Sequence, residues 1–123
     1  MRSLLLCATM LLGHAVVPIV DAAEKRFGPD EAIKHVGEHA TVCGYVVSAK
    51  FATYTQNQLT FLNLAKRYPN QVFTVVIRGV DRQRFDYAPE SLEGSSICVS
   101  GEITAYHDIA QIIVTTPDQI KRQ

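Results

Sequence analysis

Thr41-Val42-Cys43-Gly44-Tyr45-Val46-Val47-Ser48-Ala49 is a β-branched stretch broken by one glycine. It has a partial echo at Ile97-Cys98-Val99-Ser100-Gly101-Glu102-Ile103-Thr104-Ala105. Aligning Gly44 with Gly101 sets Val42 over Val99 and Val46 over Ile103, and a Gly/Glu pair precedes each copy, Gly37-Glu38 and Glu93-Gly94. Glycine at one interior point of two strands marks a bulge or a corner where a sheet must bend. The two stretches are read as the strands around which a small closed β-barrel wraps.

Working outward, Pro29 to Gly37 reads as a short helix, with proline and acids at its start and glycine at its C-cap. Ala32, Ile33 and Val36 would form its apolar face. The first strand spans about His39 to Phe51, with Val42 and Val46 inward and Thr41, Cys43, Tyr45 and Val47 outward. A second, Gln58 to Leu64, sets Thr60, Leu62 and Leu64 against Leu59, Phe61 and Asn63. Pro69-Asn70 centres the turn into a third strand, Val72 to Arg78. Val80 to Gly94 breaks the rhythm with charges and a helical turn at Pro89-Leu92; Phe85, Tyr87 and Leu92 are its expected inward anchors. The fourth strand, Ser96 to Tyr106, turns at His107-Asp108 into a fifth, Ala110 to Thr115, and Thr116 to Ile120 forms a last helical turn. There is no βαβ alternation, so a parallel α/β sheet is not expected.

This order predicts an all-β domain with small helical content: a five-stranded Greek-key barrel of the OB-fold type, carrying a short N-terminal helix. An SH3-like barrel and a small open sandwich are the competing architectures.

The first residues stand apart from that domain. Met1-Arg2-Ser3 is a cationic start, Leu4 to Val20 is almost wholly apolar, and Val20-Asp21-Ala22 fits a signal-peptidase site. Residues 1–22 are therefore expected to be a signal peptide and 23–123 a single domain, periplasmic or secreted. A membrane anchor fits less well, because Gly13 and Pro18 interrupt a stretch already short for a bilayer. Cys7 lies too near the start for a lipoprotein site.

Basic and acidic residues are equal in number, 12 each, so no net charge draws the chain to nucleic acid or membrane. Removing residues 1–22 takes one of each, Arg2 and Asp21, and leaves Cys43 and Cys98 as an even pair. In an oxidising compartment such a pair reads as a candidate disulfide. Both cysteines face the same way on strands one and four, which are antiparallel neighbours in an OB barrel. A zinc site would need closer-spaced ligands than this chain offers, so neither metal nor cofactor is expected.

Gly37-Glu38, Thr41-Val42-Cys43-Gly44, Thr60-Phe61-Leu62-Asn63-Leu64, Tyr68-Pro69-Asn70-Gln71, Phe73-Thr74-Val75-Val76-Ile77, Ile97-Cys98-Val99-Ser100-Gly101 and Gln111-Ile112-Ile113-Val114 together resemble the exported bacterial single-domain OB-fold proteins. The resemblance covers about Glu31 to Ile120. It implies an OB-fold and a nucleic-acid-binding role, since the family is described that way by similarity and related domains occur on secreted nucleases. The chain departs from it at His107-Asp108-Ile109, where a glycine is expected in the last hairpin.

OB-folds bind ligands on the face of strands two and three and the loops that rim it. The register offers Phe61, Asn63, Thr74, Val76 and Arg78 there, Lys50 and Tyr54 from the first loop, Lys66 and Arg67 from the next turn, and Tyr106 and His107 from the last hairpin. Single-stranded nucleic acid needs aromatic platforms and cations, and this set holds both. Plainer roles exist for several of them. Phe61 in a shifted register is core, Arg78 is a partner for Asp81, Lys66-Arg67 is a polar turn, and His107 is an idle turn residue. Tyr54 is the contact that packing explains least. No catalytic role is expected, because nucleophile-elbow, zinc-protease and phosphate-loop motifs are absent and acids such as Glu31, Glu38, Asp81 and Asp86 are scattered. The expected partner is single-stranded nucleic acid, or alternatively an envelope protein or glycan.

Overall fold

The computed structural model describes residues 24–123. The signal-peptide expectation for 1–22 lies outside the described residues. The strands are β1 (Arg26–Phe27), β2 (His39–Ala52), β3 (Leu59–Leu64), β4 (Phe73–Ile77), β5 (Ser96–Glu102), β6 (Thr104–Tyr106), β7 (Ile109–Val114) and β8 (Ile120–Arg122). One helical turn, α1 (Gly79–Arg82), and 3-10 turns at Ala32–His35, Pro89–Leu92 and Pro117–Gln119 link them.

Both edges of β2 are used. His39 to Tyr45 pair antiparallel with β5, and Val46 to Ala52 pair antiparallel with β3, with a register shift between Val46 and Ser48. The sheet continues in the order β6-β7-β4-β3-β2-β5-β8, and β1 lies beside β2. The β4–β7 and β1–β2 pairs are parallel and the rest antiparallel, so the sheet is mixed. The five expected strands appear as eight. Ile103 interrupts the expected fourth strand, splitting it into β5 and β6, and short edge strands flank the core ladder at both ends.

Alternation places the core as the sequence implies. Val42, Val46, Leu62, Leu64, Phe73, Val75, Ile77, Ile97, Val99, Ile103, Ile112 and Val114 are fully buried. Each such side chain contributes about 1.5–3 kcal/mol of burial. Phe85 and Leu92 are inward anchors as expected, buried in the core with Tyr87 packed against it. Glycine at positions 44 and 101 is required by packing as well as by bending. A Cβ on Gly44 would stand 2.7 Å from Pro29 Cγ, and one on Gly101 2.7 Å from Ile112 Cγ2.

Two expectations change. The short helix is a 3-10 turn of four residues, because a run this brief cannot repay helix nucleation. It buries Ala32 and leaves Ile33 and Val36 exposed, since Gly37 takes a left-handed φ of 95° and redirects the chain. Thr41 faces away from the core yet is buried: β1 covers it at Arg26, and its hydroxyl is 2.7 Å from that of Ser100.

Cys43 and Cys98 are direct ladder partners and are joined by a disulfide, with Cα atoms 4.0 Å apart. The bridge fastens the spine strand to β5 across a sequence separation of 55. Replacing both cysteines by alanine is expected to lower unfolding free energy by about 2–4 kcal/mol, read from denaturant melts of oxidised protein.

Arg82, carried by α1, ties three elements together. Its guanidinium donates to Glu90 Oε1 and Oε2 at 2.6 and 2.9 Å and to Thr60 Oγ1 at 3.0 Å, and lies 3.8 Å from the centre of the Phe51 ring. This hydrogen bonding holds the Glu90 carboxyl below the usual carboxylate range. A depressed folded value means the pair stabilises fully above the unfolded carboxylate range, about 4.3, and loses that stabilisation as pH falls through the folded value. Arg82→Met is expected to cost about 1–3 kcal/mol at neutral pH. Its deficit should shrink in acid, and Glu90→Gln should flatten the acid limb of the stability–pH curve.

Candidate functional site

On the side of β3, β4 and β7 turned from the core, ladder pairing builds two rows. The polar row is Ser48, Asn63, Thr74, Gln111 and Thr104, each opposite the next. Beside it run Lys50, Phe61, Val76 and Ile113. Thr74 donates to Asn63 Oδ1 at 2.9 Å and Asn63 Nδ2 donates to Ser48 at 3.1 Å, so the middle of the polar row is internally satisfied.

A cleft of about 720 Å3 opens over Ser48, Asn63, Thr74 and Gln111 of the first row and Lys50 and Phe61 of the second. It brings together Lys50, Tyr54, Phe61, Asn63, Arg67 and Thr74 of the sequence-predicted set, with Tyr106 from the last hairpin. Asn63 and Thr74 form its floor and keep only 8% and 7% of their surface, whereas Phe61 is half-buried and outward. Tyr54, Tyr68 and Tyr106 stand on its walls at 76%, 75% and 65% exposure, far more than packing requires of so large a ring. Lys50 Nζ lies 5.1 Å from the centre of the Tyr54 ring, which steadies that otherwise solvated side chain.

Four predicted residues do not line the cleft, Val76 among them, which is buried at 7% exposure. Lys66 borders a neighbouring hollow of about 450 Å3 together with Arg67 and Asn70. Arg78 donates to the buried carboxylate of Asp81 at 2.8 Å, the partner role the sequence allowed. His107 occupies the hairpin tip, its ring edge-on to Tyr106 at 4.2 Å. Conversely, Tyr68, Gln71 and Gln111 line the cleft and were not singled out. Gln111 alternates with the buried Ala110 and Ile112, a signal for an outward position; its place beside Thr74 follows from the parallel β4–β7 pairing.

Charge in the cleft is one-sided. Lys50 and Arg67 are its cations, and none of the described residues lining it is Asp or Glu. Among the described residues no group of three or more His, Cys, Asp or Glu could hold a metal ion, and no helix is long and apolar enough to cross a membrane.

No protein-family model matches the chain, and no curated protein does. Solved structures do. An aspartyl tRNA synthetase from Entamoeba histolytica matches 98% of this chain with 27% of its own, at a TM-score of 0.56 and 14% identity. Asparaginyl-tRNA synthetase from Pyrococcus horikoshii matches 78% with 22% of its own, at 0.51 and 14% identity. OBody AM1L10, solved bound to hen egg-white lysozyme, matches 81% with 94% of its own, at 0.53 and 14% identity. The chain thus spans about a quarter of the length of the synthetases it matches. At such identities the likeness defines the fold: this is a mostly β domain with an OB-like fold.

The last hairpin turns on His107 and Asp108, both left-handed with φ of 51° and 63°. That is the type I′ geometry that asparagine and glycine adopt at least cost. Replacing the pair by Asn-Gly is expected to raise stability by about 1 kcal/mol, seen as a higher melting temperature.

Proposed function

We propose that this protein is a non-catalytic, exported binding module that takes single-stranded nucleic acid in the cleft over β3, β4 and β7. One observation carries the reading. In a chain of zero net charge, one cleft gathers four aromatic rings and two cations with no carboxylate among its described lining residues. Bases stack on Tyr54, Phe61, Tyr68 and Tyr106, while Lys50 and Arg67 meet the backbone phosphates. Lys66 and His107 extend the same surface at its rim. The synthetases matched by the fold are, by their names, enzymes that act on tRNA, which supports a nucleic-acid ligand for this fold.

Export rests on the cationic and apolar start of the sequence and on the Cys43–Cys98 disulfide, which suits an oxidising periplasmic or extracellular setting. An envelope protein or glycan in the same cleft is the second reading. Zero net charge favours it.

Fluorescence anisotropy of the mature, oxidised protein with labelled single-stranded DNA and RNA tests the proposal. With two phosphate contacts, log K should fall against log salt with a slope of about −1.4, much shallower than for a strongly basic binder. Tyr54→Ala should weaken binding by about 5- to 100-fold, the value of one stacked base. Lys34→Ala, an exposed cation on the 3-10 turn away from the cleft lining, should leave it unchanged. Absence of binding at low salt would overturn the reading in favour of a protein or glycan.

A further inference from the structure

Two buried side-chain polar atoms have no hydrogen-bond partner among the described residues: Gln71 Oε1 and Thr104 Oγ1. They are far apart in sequence; Gln71 is a cleft residue and Thr104 stands one ladder step from one. Thr104 ends the polar row opposite Gln111, itself a lining residue, and shares a face of β6 with Tyr106 on the cleft wall. Asn63 and Thr74 in the middle of that row satisfy each other, so the unmet hydrogen-bonding capacity gathers at the end near the last hairpin.

A buried polar atom left unpaired destabilises a fold, and native structures keep such atoms where something else uses them. Leucine and valine would fill the same volumes without that penalty. The geometry narrows what the user is. A side-chain carbonyl oxygen accepts and cannot donate, so its partner must bring a proton on nitrogen or oxygen. A phosphate group, fully acceptor at neutral pH, cannot satisfy it. A nucleobase edge can, since amino and ring N–H groups sit beside acceptors that a threonine hydroxyl can meet.

We propose that Gln71 and Thr104 read the edge of one nucleobase, so that the cleft binds single-stranded nucleic acid with a base preference instead of stacking every base alike. This rests on the nucleic-acid reading above. Tyr106 and Tyr68 would hold the base flat while its edge meets the two side chains, and Arg67 would take the adjoining phosphate.

The test measures anisotropy of the mature, oxidised protein with dA, dC and dT oligonucleotides of equal length, alongside thermal melts of the same samples. The wild-type protein should prefer one base by at least about tenfold, the usual value of a satisfied edge contact. Gln71→Leu and Thr104→Val should compress the preference to within about twofold, yet melt at the same temperature or higher, because each removes an unpaired polar atom. Equal wild-type affinity for all three oligonucleotides overturns the inference while leaving nucleic-acid binding intact. So does a preference that survives both substitutions, or a variant that melts lower, which would assign the two groups a structural role. A preference for RNA over DNA whatever the base would mean that the donor is a ribose hydroxyl, and would overturn the base-edge assignment. No binding by any oligonucleotide would remove the underlying reading itself.

Discussion

A single 14-residue strand, β2, has to satisfy hydrogen-bonding partners on both edges while bending between them. Its first half belongs to β5 and its second to β3, and the register shift near Val46 passes the chain from one partner to the other. Gly44 makes that passage possible, because Pro29 and Leu64 pack where a side chain would otherwise stand. The Cys43–Cys98 bridge lies one residue from this glycine and clamps the half that β5 shares.

The cleft is built on the other half of the sheet from the disulfide. It lies over the outward side of β3, β4 and β7, where the period-two alternation fills its floor with Asn63, Thr74 and Gln111. The loop after β2 and the β6–β7 hairpin bring Tyr54 and Tyr106 to the walls, and the β3–β4 turn brings Arg67 and Tyr68. Acids that pair with cations do so elsewhere: Glu90 with Arg82, Asp81 with Arg78 and Arg84, and Glu38 with Lys25 and His35. Zero net charge is thus compatible with a locally positive cleft, because the described carboxylates, paired or not, stand outside its lining.

Stability and binding make opposite demands at this site. The core end of the fold spends its polar groups on closed networks, as Arg82, Glu90 and Thr60 show. The cleft instead keeps exposed tyrosines, two cations without carboxylate partners and two unpaired buried polar atoms. Exposed cations cost folding little, but packing explains neither the exposed tyrosines nor the unpaired buried atoms.

Much was legible in the sequence because its signals are local. Alternation in Leu59–Leu64 and Phe73–Ile77 set which residues face the core, and Phe61 took the outward register because Leu62 and Leu64 are the better core residues. The glycine-marked echo singled out two central strands, and the OB topology with an even cysteine pair pointed to their pairing and the disulfide. Other features were beyond sequence because they depend on partners distant along the chain. The parallel union of β4 with β7 placed Gln111 beside Thr74, and the covering by β1 buried Thr41. Residue type and spacing determine which face of a strand a side chain takes. Which strand lies next to it, and hence which side chains meet in a site, is decided by tertiary packing, since β pairing is non-local and no short stretch of chain encodes it.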